Sequence, residues 1–454
     1  MDWKQIAAGI PEYEHFRTVD EMRTTTTQLH AEFPGITRLR VVGETRQKEP
    51  IELLSIHHGE DSPNAFLFGA PHPNEPIGCM TIEFLSRRLC EDENLRNQLN
   101  YNWHFIPCID ADHMRLNEGW FRGPFDLRNY HRNFYRPRSN EQVEWSFPVQ
   151  YKTLTFDQPL SETQALIRCI DELKPRFMFS LHNSESGAVY YHLSDESPPL
   201  YPLLRDIPSW FGLQLDMRSA ELPYTLELSP GIFKHHTIRQ MYDFFAAQSA
   251  EDPAEKIQQG ASSFEYAKRY GTKSIIVELP YWDDPRVSDL SETPLTRQEA
   301  VLEAAHRSLA TGEWLSAQWE RTSSFLQLDT PFHRATADSV HSKNKWASGR
   351  ISWINEHPDR EQPATTADAF ASQISQRSLD QRAVAMWLRA LEAEIAAGNP
   401  HPSLLTAHSL AEQEFNKRAD ELDELTHYRI VPIRDLVGVQ VCAGLAAANE
   451  WRVS

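Results

Sequence analysis

The chain has 454 residues, well beyond the ~100 to 200 of a usual single core, so one large domain with an addition, or two domains, is expected. Its 40% hydrophobic and 24% charged content is that of a globular protein, and 45 basic against 64 acidic residues leave a net charge of −19. Such a surface repels phosphate backbones and anionic lipid, which sets nucleic acid and membranes aside as partners and otherwise serves solubility.

The opening MDWKQIAAGIPEYEHF lacks a basic start followed by an apolar run and a small-residue cleavage site, so it does not read as a secretory leader. No stretch reaches the ~18 uninterrupted apolar residues of a membrane span. Five cysteines (Cys79, Cys90, Cys108, Cys169, Cys442) are odd in number and lack CxxC spacing. They argue against a disulfide framework and against a thiolate metal site, and they place the protein in the reducing cytoplasm as small buried hydrophobes.

Up to about residue 315, short β-type runs alternate with helical patterns, the signature of an α/β sheet with helices on its faces. The expected strands are Ile51–His58, Ala65–Gly69, Trp103–Ile109, Phe177–Leu181, Ala188–His192 and Ser274–Leu279. Apolar residues recurring at three and four predict helices over Ile77–Cys90, Glu162–Leu173, Thr237–Ala247 and Pro294–Ala310. Ser161 and Thr163, and Thr293 before Pro294, supply helix starts. After Trp319, Thr, Ser, His, Asp and Pro dominate to about Thr366, and helical patterns follow over Ala367–Ala397 and Ser403–Leu425. This divides the chain into a domain of residues 1–319 and, over 320–454, an irregular connector with a helical C-terminal extension. The stripe Val384, Trp387, Leu388, Leu391 and Ile395 reads as core-facing.

The chemistry begins where the strand NAFLFGA runs into Pro71-His72-Pro73-Asn74-Glu75-Pro76 and then a helix. Side chains leaving the carboxyl end of a central strand converge in the crevice where open α/β sheets bind ligands. A turn brings residues three apart to one side, and imidazole nitrogen and carboxylate oxygen are suitable zinc donors. An HxxE alone is a common coincidence. His182, ending the strand RFMFSLHN, presents a second imidazole at a strand end. Two His and one Glu leave a fourth zinc position open, as in a catalytic site. Glu278 lies in the apolar strand Ser-Ile-Ile-Val-Glu-Leu-Pro, where an unpaired carboxylate is costly. It reads as a general base toward water at the metal, or else as an edge-strand Glu facing solvent. Arg122, in Trp-Phe-Arg, and Arg132, in Tyr-His-Arg-Asn-Phe, lie between the ligands in sequence; their guanidinium groups suit an oxyanion or a carboxylate, although spacing alone favours ordinary surface salt bridges for both.

Taken in order, HPNEP, the RNF of HRNF, SLHN, GASSFEYAKRYG and VEL resemble the zinc metallocarboxypeptidases of the M14 type over roughly residues 14 to 315. The His₂Glu zinc set of carboxypeptidase A is itself a standard example of a catalytic zinc site. The resemblance implies a mixed, mostly parallel twisted sheet flanked by helices. It implies one zinc per chain held by His72, Glu75 and His182, with Glu278 as general base and Arg122 polarising the scissile carbonyl. Arg132, preceded by His131 where the family often has Asn, would bind the substrate's terminal carboxylate, and Ser263, Phe264 and Glu265 would line the pocket for the C-terminal side chain. The family's Tyr upstream of the glycine segment has no counterpart in Lys256-Ile257-Gln258-Gln259. The implied function is zinc-dependent hydrolysis of a C-terminal peptide or amide bond in a peptide or peptide-like metabolite, Phe264 favouring an apolar or aromatic residue and Glu265 keeping a basic one open. The alternative is an N-acyl amino acid deacylase of the desuccinylase or aspartoacylase kind. A noncatalytic binding module is disfavoured because all three ligands and Glu278 are present. The sequence leaves the oligomeric state open.

Overall fold

The computed structural model describes residues 1–217, 224–248 and 251–452. They form two compact units, the first made of Met1–Arg122, Ser139–Tyr281 and Val431–Ser454, the second of Gly123–Arg138 and Trp282–Ile430.

The first unit is built on a nine-stranded sheet. Its strands are β1 (Thr37–Glu44), β2 (Pro50–Ile56), β3 (Asn64–Phe68), β4 (Asn102–Ile106), β5 (Phe177–Ser180), β6 (Tyr190–Leu193), β7 (Glu227–Ser229), β8 (Ile232–Lys234) and β9 (Lys273–Glu278), in the order β1-β2-β4-β3-β5-β9-β6-β8-β7. The mixed sheet flanked by helices expected from the sequence is present, and the parallel pairing is continuous through its centre, β4-β3-β5-β9. These central strands are covered on both faces, so they read as apolar runs: Phe66, Phe68, Ile106 and Met178 face one cluster with Leu166, Ile170 and Phe264. All six expected strands overlap observed ones; the edge strands β1 and β7, and β8 beside the latter, have no counterpart in the sequence reading. In β1 the burial is irregular and the register shifts between Val41 and Gly43, which removes the clean alternation a sequence reading relies on.

Helix Ile77–Glu91 follows β3, and helix Ser161–Leu173 precedes β5. A helix that was not foreseen, Ile433–Trp451, also belongs to this unit, so the last residues of the chain are not part of the C-terminal extension as drawn from sequence. Every residue from 436 to 448 is buried in it. A helix enclosed on all sides has no polar face, and hence no amphipathic period to read. Tyr101 Oη donates to the Ala448 carbonyl (3.0 Å), and Phe177 lies against Trp451 with ring centroids 6.1 Å apart, tying the helix to the sheet.

The second unit is mainly helical, with Leu127–Asn133, Arg297–Thr322, Pro331–Glu356, Gln376–Ala396 and Pro402–Leu425. Residues 297–322 are one helix, so the position 319/320 falls inside it. Its start is Thr296 rather than Thr293: the Thr296 hydroxyl and Glu299 form a capping box, while residues 292–296 pair with 363–365 as a short ribbon. The expected irregular connector is corrected too, because Pro331–Glu356 is a helix. Thr330 caps it by accepting the His333 N–H (3.1 Å), Pro331 opens it, and Phe332, Ala335, Thr336, Ala347 and Ile354 are buried. Its composition is polar enough to hide that stripe. Val384, Trp387, Leu388 and Leu391 are buried as expected, each such large apolar side chain contributing about 1.5 to 3 kcal/mol, while Ile395 at the end of the stripe is half-buried.

Candidate metal centre

Three strand ends build the site. After β3, Gly69 leads to Ala70, whose φ of 52° places a non-glycine residue in the left-handed region at the point where the chain must turn. His72 and Glu75 occupy the turn that follows, closed by the Glu75 N–H donating to the His72 carbonyl (3.1 Å). The next helix starts hard against the second strand end: a Cβ on Gly78 would lie 2.4 Å from Leu181 Cβ, so only glycine lets this turn approach the residue before His182. β5 pairs in parallel with β3, Phe68 opposite Ser180, and His182 emerges two residues later. β9 pairs in parallel with β5, Ile275 opposite Phe179, so Glu278 stands at the level of position 182 on the neighbouring strand, half-buried.

The ligand atoms converge. His72 Nδ1 lies 3.0 Å from Glu75 Oε1, His182 Nδ1 lies 3.0 Å from Glu75 Oε2, and the two imidazole nitrogens are 3.2 Å apart. All three residues are buried, and their ligand atoms fall within 4.8 Å of one another. Burial works to raise the Glu75 carboxyl, but His72 and His182 outweigh it and hold it well below the carboxylate range. Burial likewise works to lower His182, yet Glu75, followed by Glu278 and Glu144, pushes it above its ordinary value. Two imidazole nitrogens facing each other at this distance over one carboxylate are a poor arrangement without a cation to share. Two nitrogens and a carboxylate fit zinc and leave a position open.

Around the triad stand residues the sequence reading missed. Ser180 Oγ lies 2.9 Å from His182 Nε2 and donates to Glu144 Oε2 (3.0 Å), and Glu144 Oε1 accepts from the N–H (3.0 Å) and the hydroxyl (2.7 Å) of Ser263. Burial raises the Glu144 carboxyl against the opposing pull of His182 and these donors. Gln440, in the helix Ile433–Trp451, donates to the His182 carbonyl (2.6 Å) and accepts from the Thr81 hydroxyl (2.7 Å). A lone amide inside the apolar run VGVQVCAG was a signal for Gln440. Glu144, in EQVEWSF, offered no motif. Trp145 is half-buried, its ring near-parallel to those of His72 (centroids 6.5 Å apart) and His236 (5.9 Å).

The remaining expected residues are placed as follows. Arg122 is exposed and pairs with Glu21 (2.6 Å). Ser263 gives both its donors to Glu144. Phe264 stacks on His235 with centroids 4.4 Å apart. Glu265 Oε2 accepts the N–H groups of Ile238 (3.1 Å) and Ser262 (3.3 Å), the second within a capping box. His131 and Arg132 belong to the second unit, in helix Leu127–Asn133. Burial, with Arg382, holds the His131 imidazole well below its ordinary range and therefore neutral, and Arg132 is ion-paired with Glu392.

Residues 22–244 match the Peptidase_M14 family, zinc carboxypeptidase. Among curated proteins none matches the chain. Similar solved structures include a candidate metallopeptidase of Shewanella amazonensis SB2B, 14% identical over 58% of this chain and 84% of that one, with a TM-score of 0.39. Carboxypeptidase A of Helicoverpa armigera is 15% identical over 62% of this chain and 69% of that one (TM-score 0.37). A metallo-carboxypeptidase of Burkholderia cenocepacia is 14% identical over 58% and 60% (TM-score 0.36). At these TM-scores the structural likenesses add nothing to the family match.

Proposed function

We propose that this protein, whose residues 22–244 match the zinc carboxypeptidase family, is a hydrolase of peptide bonds that releases the C-terminal amino acid of a peptide or peptide-like metabolite. The observation that carries the reading is the delivery of two imidazoles and a carboxylate, by neighbouring parallel strands, into one buried contact set. Zinc held by His72, Glu75 and His182 would supply Lewis acidity toward a carbonyl oxygen and toward water.

The chain's own residues do the rest. Glu278, level with His182, takes the proton of the attacking water and returns it to the leaving nitrogen. Arg122 stabilises negative charge developing on the carbonyl oxygen, a role that requires it to exchange Glu21 for substrate. Arg132, with His131, binds the terminal carboxylate, and here Glu392 is the competitor to be displaced. Of Ser263, Phe264 and Glu265, proposed to line the side-chain pocket, the first and last have hydrogen-bonding commitments and Phe264 is packed against His235 in the apolar cluster, so a preference for an apolar or aromatic residue set by Phe264 requires that packing to open. Five free thiols are consistent with a reducing, cytoplasmic location, and no helix among the described residues is long and apolar enough to cross a membrane.

The test is mass spectrometry of a mixed pool of peptides and N-acyl amino acids incubated with zinc-loaded protein, Glu278→Gln serving as control. Loss of single C-terminal residues by the wild type alone is the expected result. Cleavage confined to N-acyl amino acids would move the protein to the deacylase class, and turnover of neither by zinc-bound protein would sink the mechanism.

A further inference from the structure

We propose that Glu144 is a positioning residue for His182, acting through the Ser180 hydroxyl to fix the tautomer in which Nε2 carries the proton and Nδ1 offers its lone pair to the metal. The inference rests on the zinc reading above and deepens it.

The argument follows hydrogen-bond direction from one end of a chain of contacts to the other. Glu144 lies in the short 3-10 turn Val143–Trp145 and is 2% exposed. Three donors point at its carboxylate: the Ser263 N–H and hydroxyl at Oε1, and the Ser180 hydroxyl at Oε2. A backbone N–H can only donate, so the carboxylate is an acceptor on that side, and a hydroxyl has one proton to give. With the Ser180 proton directed at Glu144, the Oγ lone pair is what faces His182 Nε2 at 2.9 Å, and that nitrogen must be the donor. A neutral imidazole carries one N–H, so the lone pair falls on Nδ1, the nitrogen 3.0 Å from Glu75 and 3.2 Å from His72 Nδ1. Metal-ligating His residues owe their orientation and ligand strength to such a partner on the far nitrogen.

The intervening hydroxyl is required, because Glu144 Oε2 lies 3.9 Å from His182 Nε2, too far for a direct bond. Residues from three places in the chain meet here: the turn at 143–145, the end of β5, and the start of the helix Ser263–Ala267. The last of them explains why Ser263 is buried with both its donors aimed at an acid rather than toward substrate.

The experiment is zinc affinity, read by competition with a chromophoric chelator, for the full-length wild type, Ser180→Ala, Glu144→Gln and the double variant, with circular dichroism reporting the fold. Each single change should weaken zinc about 10- to 100-fold. Because the two residues act in series, the double variant should be no weaker than the worse single, whereas unrelated structural damage would multiply. Ser180→Ala removes one oxygen and carries the test by itself if Glu144→Gln fails to fold. Wild-type zinc affinity in folded Ser180→Ala, or losses that multiply in the double variant, would overturn the inference. A wild type that takes up no zinc would overturn the zinc reading itself, and this inference with it.

Discussion

Glu75 and Asp380 are both buried carboxylates, one in each unit, and their surroundings differ in kind. Asp380 is closed off internally: its Oδ1 accepts from Lys343 Nζ (2.6 Å), Gln376 Nε2 (3.1 Å) and Ser308 Oγ (3.2 Å), a cation and two neutral donors supplied by three helices. Glu75 instead faces two imidazoles at strand ends, groups that are neutral or charged according to what binds between them. A carboxylate paired with lysine in a helical core is a structural fixture. One shared by two histidines at the carboxyl ends of parallel strands has the donor set that the proposed zinc would use.

That contrast can be broken most directly by taking the metal away. Chelation is expected to abolish hydrolysis, with zinc restoring it, while hydrogen exchange of the amides around Asp380 stays unchanged; activity that survives complete metal removal would leave Glu75 a second structural fixture. Next in size, Glu278→Gln should lower kcat by about 10²- to 10⁴-fold without changing zinc content. Steady-state kinetics with metal analysis checks this, and a smaller loss would place the general base elsewhere.

The helical unit should respond in stability rather than rate. Lys343→Met strands Asp380 and is expected to cost about 3 to 5 kcal/mol in urea unfolding, most of it recovered in the double variant Lys343→Met/Asp380→Leu. Full additivity of the two changes would deny that they form a pair. Glu394 gives a smaller, pH-dependent effect. Burial works to raise its carboxyl, but the Asn399 amide and the N–H groups of Leu328 and Gln327 outweigh it and hold it below the ordinary range. A depressed folded pKa stabilises above the unfolded value of ~4.3 and loses that contribution as pH falls through the folded one. The stability gap between wild type and Glu394→Gln should therefore be present at pH 7 and shrink toward pH 3. The smallest expected change is Arg87→Ala, whose pairs with Glu32 and Glu91 are exposed and screened by solvent, so the urea unfolding midpoint should barely move.

The parts legible in the sequence are those that backbone register decides. His72, Glu75, His182 and Glu278 each sit at or just past the end of an apolar strand, and parallel pairing alone brings such ends together. Side chains whose partners are distant in sequence and set by packing were not legible. Arg132 is engaged by Glu392, 260 residues on, and nothing local announces it. Glu144 has neither motif nor period around it, and its partners Ser180 and Ser263 lie 36 and 119 residues away. The helices Pro331–Glu356 and Ile433–Trp451 escaped for opposite reasons, one too polar and the other too uniformly buried to show a stripe.

The most direct measurement is anomalous X-ray scattering at the zinc edge from crystals of zinc-loaded protein. A single strong peak bonded by His72, Glu75 and His182, at about 2.0 to 2.2 Å from each, is the expected result. A peak elsewhere, or none in protein that retains its fold, would contradict the assignment of this triad as the metal centre.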